Sequence, residues 1–284
     1  MVRRSRAVAA RGSPLTAAAA GDSRPTDAHH PGEVVFYTHT LCPYAHRVSL
    51  ALAEGRVPHT CVEVDLSRKP EWFTAKGLRL VPALEWPATG EVRKESADLV
   101  GLLCERYPGA AERLLPGGSV TWAEAEAALR VCDAGFVSSG MAFLGGGWTV
   151  PRTPSRGKTV ARTRFERDLD ALDRMLEAAG GPYLLGDALS AADVLVWPFA
   201  ERIELGCRAL LDLRMADDDD GEGSPSKWRA VAAWCAAMAS RDSVRDLAAP
   251  ERPLLDAWQR TGRLDFFDYE TASVATLREE GKSG

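Results

Sequence analysis

From Val34 onward, short β-type runs alternate with helical stripes. "VVFYT" (Val34 to Thr38) is an unbroken run of β-branched and aromatic residues, the pattern of a buried strand. "PYAHRVSLALAEG" then places Ala45, Val48 and Leu52 on one helical face, with Gly55 as a stop. "HTCVEVDL" sets Thr60, Val62, Val64 and Leu66 against Cys61, Glu63 and Asp65, which predicts a half-buried strand. "KPEWFTAKG" predicts a short helix opened by Pro70. "VPALEW" and "EVRKE" flank the turn "PATG" and predict a hairpin. "SADLVGLLCERYPG" predicts a closing helix, N-capped by Ser96 and stopped at Pro108-Gly109.

Strand, helix, strand, helix, strand, strand, helix is the resulting order over residues 33–110. Helices between the early strands favour parallel pairing there, and the tight turn favours an antiparallel pair at the end. That is an α/β thioredoxin-like arrangement. After "LLPGG" the texture becomes all-helical, over residues 119–262. Phe165, Leu169, Leu172 and Leu176 repeat at the spacing of one helix face. Ser190 and Asp193 form a capping box ahead of an unusually apolar helix, predicted to be central to the second domain. "MADDDDGEGSPS" reads as an exposed loop, because adjacent aspartates repel, and residues 263–284 read as a tail.

Residues 1–32 lack periodicity. Within the first thirty, five arginines sit among Ala, Ser and Thr, and the first acid is Asp22. This composition suits an organelle transit peptide, and equally a disordered extension. The expected location is therefore cytoplasmic, or plastid or another organelle if the segment is a transit peptide. The His29-His30 pair lies in this segment and is not read as a metal site; no metal is expected. A net charge of -5 argues against a nucleic-acid partner. The uncharged stretch Ala134 to Pro151 carries five glycines and two serines, a poor bilayer helix, so no membrane partner is expected.

The six cysteines are Cys42, Cys61, Cys104, Cys132, Cys207 and Cys235, no two closer than nineteen positions. That excludes a CxxC pair and a zinc-knuckle spacing. Five read as small buried hydrophobes. Cys42 differs. It falls where a strand hands over to a helix, and Pro43 suits the first helical position because it has no N–H to leave unbonded. Free N–H groups and the positive end of the macrodipole favour an anion there. His46 and Arg47 follow within about one turn as further sources of positive potential, although His46 also reads as a plain surface residue. Such surroundings lower a cysteine pKa from about 8.5 into a range of roughly 3.5–7.5.

"CPYAHRV" with "KPEWF", "LVPALE" and "KESADL" resembles the glutathione-binding half of a cysteine-type glutathione transferase, of the omega and lambda kind. The match in motif order covers residues 34–110, and "PYLLGDALSAADVLVWP" is similar to the family's helical domain in a looser way. The resemblance implies Cys42 facing the glutathione sulfur, with Tyr44 beside it where many relatives have Phe. It implies Pro82 as a cis-proline and Val81 pairing its backbone with the cysteinyl unit of glutathione. It further implies Glu95 and Ser96 at the γ-glutamyl end and Lys69 near the glycyl carboxylate. The segment "KGLRLVP" is one residue shorter than the omega pattern, which leaves the loop contacts there open.

Family members that conjugate glutathione to electrophiles usually carry Ser or Tyr at this position. A cysteine can instead hold a mixed disulfide, which points to a monothiol thiol transferase or reductase. Ala45 stands where a resolving cysteine would be. Deglutathionylation and dehydroascorbate-type reduction follow as expected reactions, with glutathione as cosubstrate and a small-molecule or mixed-disulfide acceptor as partner. Two alternatives stay open: conjugation or glutathionyl-quinone reduction, in keeping with detoxification, and a non-catalytic carrier or assembly module. Phe136, Met141, Phe143 and Trp148 are candidates for the acceptor's wall. A homodimer is the family's usual form.

Overall fold

A computed structural model describes residues 33–148, 156–211, 213–215 and 227–261. The N-terminal segment with His29-His30, most of the aspartate-rich loop, the tail from 263 and the Trp148 side chain lie outside the described residues. The first domain runs β1 (Val34–Thr38), α1 (Pro43–Glu54), β2 (His59–Glu63), α2 (Glu71–Ala75), β3 (Ala83–Trp86), β4 (Glu91–Lys94), α3 (Ser96–Arg106) and α4 (Pro108–Leu114). Every residue of β1 is buried, as a central strand with both faces covered requires.

Strand order is β2-β1-β3-β4. β1 pairs β2 in parallel, and β3 pairs antiparallel with both β1 and β4. The pairing agrees with the α/β thioredoxin-like prediction, and its register positions the site. Ala83 is opposite Tyr37 on one side and Lys94 on the other. Three segments therefore leave the sheet at the same end: 39–42 after β1, 81–82 before β3 and 95–96 after β4.

Two predicted boundaries move. Glu95, not Ser96, is the N-cap of α3: its carbonyl accepts the first helical bond from Leu99 N–H at 2.9 Å, and Ser96 is already helical. Glu95 holds φ +69°, a left-handed backbone that lets β4 turn directly into the helix. Pro108 does more than stop α3. It opens α4, where its missing N–H is harmless.

The second domain is helical: α5 (Trp122–Cys132), a π-helical segment (Asp133–Val137), α6 (Ser138–Trp148), α7 (Arg156–Ala179), α8 (Ala191–Leu210), α9 (Arg229–Ala239), α10 (Asp242–Asp246) and α11 (Glu251–Thr261). Phe165, Leu169, Leu172 and Leu176 are all buried, as their spacing predicts. So is every residue of Ala191 to Ala200 in the apolar helix α8, which packs against α1 across the seam between domains. The predicted Ser190–Asp193 pairing is present: Ser190 donates its N–H and Oγ–H to Asp193 Oδ2 at 2.9 and 2.7 Å. Trp122–Leu144 is long and apolar enough to cross a membrane by length and composition. Half of that window is buried, with α5 packed on α8 and α6 on α7, the behaviour of a core helix. Gly206 allows the close approach of α6 and α8, since a Cβ there would stand 2.6 Å from Leu144 Cδ2.

Candidate functional site

Cys42 is the N-cap of α1, and Pro43 follows at the first helical position. Ala45 N–H donates to Cys42 Sγ at 3.4 Å, so one otherwise unbonded amide of the helix start is aimed at the sulfur. The Val81–Pro82 peptide is cis, and Sγ lies 3.8 Å from the Val81 carbonyl oxygen. The register thus places the Cys42 turn and the Val81–Pro82 loop together. Cys42 is 3 % exposed, so a partner sulfur has little open surface to strike.

The turn that carries Cys42 is held from several sides. Cys42 N–H donates to the His39 carbonyl at 2.9 Å, and Leu41 N–H donates to His39 Nδ1 at 3.2 Å. His39 is buried, and burial lowers its pKa to about 4 against an opposing pull from Asp65. The neutral ring is the form that can accept. Glu63 accepts from Thr40 N–H at 2.7 Å and from its hydroxyl at 2.9 Å. From the other domain, fully buried Arg202 on α8 donates to the Leu41 carbonyl at 3.3 Å and the Pro198 carbonyl at 2.9 Å. Its guanidinium also lies 3.1 Å from His46 Nδ1.

His46 is therefore not a surface residue and adds no positive potential. It is buried against α8, and desolvation followed by the Arg202 charge drives its pKa well below the ordinary value. Arg47 is also buried, with Nε donating to the Leu195 carbonyl at 2.6 Å and Nη2 to Asp133 at 2.9 Å. Its guanidinium carbon lies 5.3 Å from the Tyr44 ring centre and 4.6 Å from that of Phe199. Arg47 and Cys42 lie within each other's electrostatic reach. Of the two cations that follow Cys42 in sequence, only Arg47 carries charge at the site.

The other predicted residues divide. Val81, Pro82, Glu95 and Ser96 lie at the sheet end that carries Cys42, and Ser96 is buried at the start of α3. The Tyr44 ring turns to the seam, edge-on to Phe199 at 5.0 Å, where burial raises its pKa and keeps the phenol neutral. Lys69 is half-buried in the loop leading into α2. Phe136 and Phe143 do not line an acceptor site. They are buried and stack on Phe165 at 6.0 and 5.5 Å, because the helical stripe that made them candidates is the core stripe. Met141 is half-buried against the same core.

Sequence reasoning missed Asp133, Phe199 and Arg202. A lone arginine inside the apolar run "VLVWPFAERIEL" was the available signal for Arg202. Of the remaining cysteines, Cys104, Cys132, Cys207 and Cys235 are buried as predicted, whereas Cys61 on the edge strand β2 is only half-buried. Burial pushes Cys61 and Cys104 up to about 11 and Cys132 and Cys235 up to about 12, and it raises Cys207 further. No group of His, Cys, Asp and Glu among the described residues has metal-site geometry. A separate groove within the helical domain, lined by Trp197, Glu201, Arg208 and Cys235 among others, contains none of the predicted site residues.

Comparison with known proteins agrees with this fold. Residues 41–106 match the glutathione S-transferase N-terminal domain model, and residues 108–237 match the C-terminal domain model. The chain belongs to the glutathione S-transferase family, and with it to enzymes of glutathione-dependent transfer and reduction. It is 29 % identical over 181 residues to Glutathione S-transferase omega-1 of Sus scrofa, covering 61 % of this chain and 68 % of that one. It is 23 % identical over 221 residues to Glutathione S-transferase DHAR2 of Arabidopsis thaliana, covering 77 % and 89 %. Among solved structures it matches glutathione transferase Omega 3C from Trametes versicolor with a TM-score of 0.61 at 23 % identity, over 78 % of this chain and 90 % of that one. The dehydroascorbate reductase of Chlamydomonas reinhardtii matches with 0.62 at 17 % identity, over 81 % and 99 %.

Proposed function

We propose that the chain is a monothiol glutathione-dependent thiol transferase and reductase in which Cys42 is the exchanging sulfur. The observation that carries this reading is the position of Sγ, capped by Ala45 N–H at a helix start and facing the Val81 carbonyl. The Cys42 thiolate attacks the glutathione sulfur of a mixed disulfide. A bond from Cys42 to glutathione forms, the disulfide breaks, and the acceptor leaves as a thiolate that takes a proton from water. A second glutathione thiolate then attacks the glutathione sulfur held on Cys42, giving glutathione disulfide and the free Cys42 thiolate. Ala45, where a resolving cysteine would stand, is buried and inert, which leaves the exchange to external glutathione.

Docked glutathione would use the Val81 backbone for its cysteinyl unit and the Glu95–Ser96 turn for its γ-glutamyl end. The α-carboxylate would then lie at the start of α3, where amides and the macrodipole favour an anion. Lys69 would approach the glycyl carboxylate. The names of the relatives, omega transferases and dehydroascorbate reductases, support reduction of dehydroascorbate as a second reaction of the same sulfur. Because Cys42 is 3 % exposed, the acceptor must displace what covers the sulfur, so rates should fall as acceptor bulk rises. Turnover of a glutathionylated small thiol by wild type and by Cys42→Ser, side by side, tests the reading. Loss in the serine variant supports it, and equal turnover rejects it.

A further inference from the structure

We infer that Asp133 is a specificity-determining residue of the acceptor site, favouring acceptors with a cationic or hydrogen-bond-donating group near the reacting sulfur over anionic ones. The inference rests on the reading of Cys42 as the reactive sulfur. Asp133 begins the π-helical segment Asp133–Val137, an irregular turn of a kind that often marks functional positions. Its Oδ1 accepts from Arg47 Nη2 at 2.9 Å. Arg47 is itself fixed by the Leu195 carbonyl and by the Tyr44 and Phe199 rings. The carboxylate is thus held in one orientation by a buried, immobile cation.

That grip uses one oxygen. Among the described residues Oδ2 has no hydrogen-bond partner, and the Asp133 side chain is 39 % exposed whereas that of Arg47 is 4 % exposed. The charge presented to an incoming molecule is therefore the carboxylate, with its counter-charge behind it. Tyr44, two residues after Cys42, lies within electrostatic reach of both Cys42 and Asp133. Oδ2 is therefore an acceptor oxygen joined through Arg47, which packs on the Tyr44 ring, to the start of α1 that carries Cys42. An ammonium or hydroxyl on the acceptor satisfies Oδ2, whereas a carboxylate or sulfonate is repelled.

The test uses methanethiosulfonates bearing an ammonium, a plain methyl or a sulfonate tail, which react with Cys42 without glutathione. In each, the thiolate attacks the sulfenyl sulfur, the new S–S bond forms and methanesulfinate leaves. Rates are read by mass spectrometry on the peptide containing Cys42. Asp133→Asn should lower the ratio of ammonium to sulfonate rates about fivefold, the scale of one unit charge at partly screened range. Asp133→Glu should largely retain the wild-type ratio, and Glu126→Gln, on the outer face of α5 where Glu126 pairs with Arg130, should leave it where it was. A change in thiol ionisation or a general loosening moves all three reagents together and cancels in the ratio. An unchanged ratio in Asp133→Asn overturns the inference. Charge-dependent labelling without glutathione turnover overturns the transferase reading alone, and absence of labelling at Cys42 in the folded protein overturns both.

Discussion

Arg202 Nη2 stands 3.3 Å from the carbonyl oxygen of Leu41, the residue before Cys42. A fully buried cation of the helical domain thus grips the turn that presents the sulfur. Removing it strands the Leu41 carbonyl, His46 and the half-buried Glu201 carboxylate, 3.7 Å from the guanidinium. Arg202→Met should destabilise the protein by about 3–5 kcal/mol, the usual cost of breaking a buried charged network from one side. Urea unfolding checks this. Arg202→Lys should not restore stability, because one ammonium cannot span Leu41, Pro198 and His46 as a planar guanidinium does.

Acid should loosen the same turn. His39 has a folded pKa of about 4, far below its unfolded value of about 6.5. Below 6.5 the unfolded chain binds a proton that the folded chain refuses, so stability falls as pH drops and this contribution is exhausted below about pH 4. The His39 contribution is about 3 kcal/mol, and buried His46 acts in the same direction. Urea midpoints measured between pH 7 and pH 4 should decline steeply in wild type. The decline should be visibly shallower in His39→Asn, which keeps an acceptor for Leu41 N–H but does not titrate.

Asp193 gathers four donors: Leu184 N–H and Trp234 Nε1–H on Oδ1, and the N–H and hydroxyl of Ser190 on Oδ2. Asp193→Ala leaves them buried without an acceptor and should cost about 3 kcal/mol or more. Thermal and urea unfolding measure the loss. A cost below about 1 kcal/mol would mean that water or a shifted side chain replaces the carboxylate.

Much of the fold was legible because its signals are local. Strand β1 is a continuous apolar run, the hairpin has its turn residues, and α7 repeats apolar residues at helical spacing. The Cys42–Pro43 junction was legible for the same reason, since N-cap and first helical residue are neighbours in sequence. Contacts across the seam were not. Asp133 lies 86 positions from Arg47, and Arg202 lies 161 from Leu41, so nothing local pairs them. Phe136 and Phe143 failed as acceptor-site candidates because a helical stripe looks the same whether it lines a cleft or fills a core. The Ser96 boundary slipped by one because Glu95 adopts a backbone that side-chain type does not announce.

Five of the six thiols should stay silent in the native protein. Desolvation raises the pKa of Cys61, Cys104, Cys132, Cys207 and Cys235, half-buried Cys61 included, and so lowers their thiolate fraction at pH 7. That, rather than a difference in exposure from Cys42, is the ground for their silence. Titration with a small neutral alkylating reagent should therefore modify one site per chain before unfolding. Modification of several sites at comparable rates would contradict this.

The most direct measurement is the mass of the native protein after brief exposure to glutathione disulfide, followed by peptide mapping. One glutathione adduct, on Cys42, removed by added glutathione and absent from Cys42→Ser, is the result expected of a sulfur that exchanges with the tripeptide. An unmodified Cys42, or a serine variant that still catalyses disulfide exchange at the wild-type rate, would contradict it.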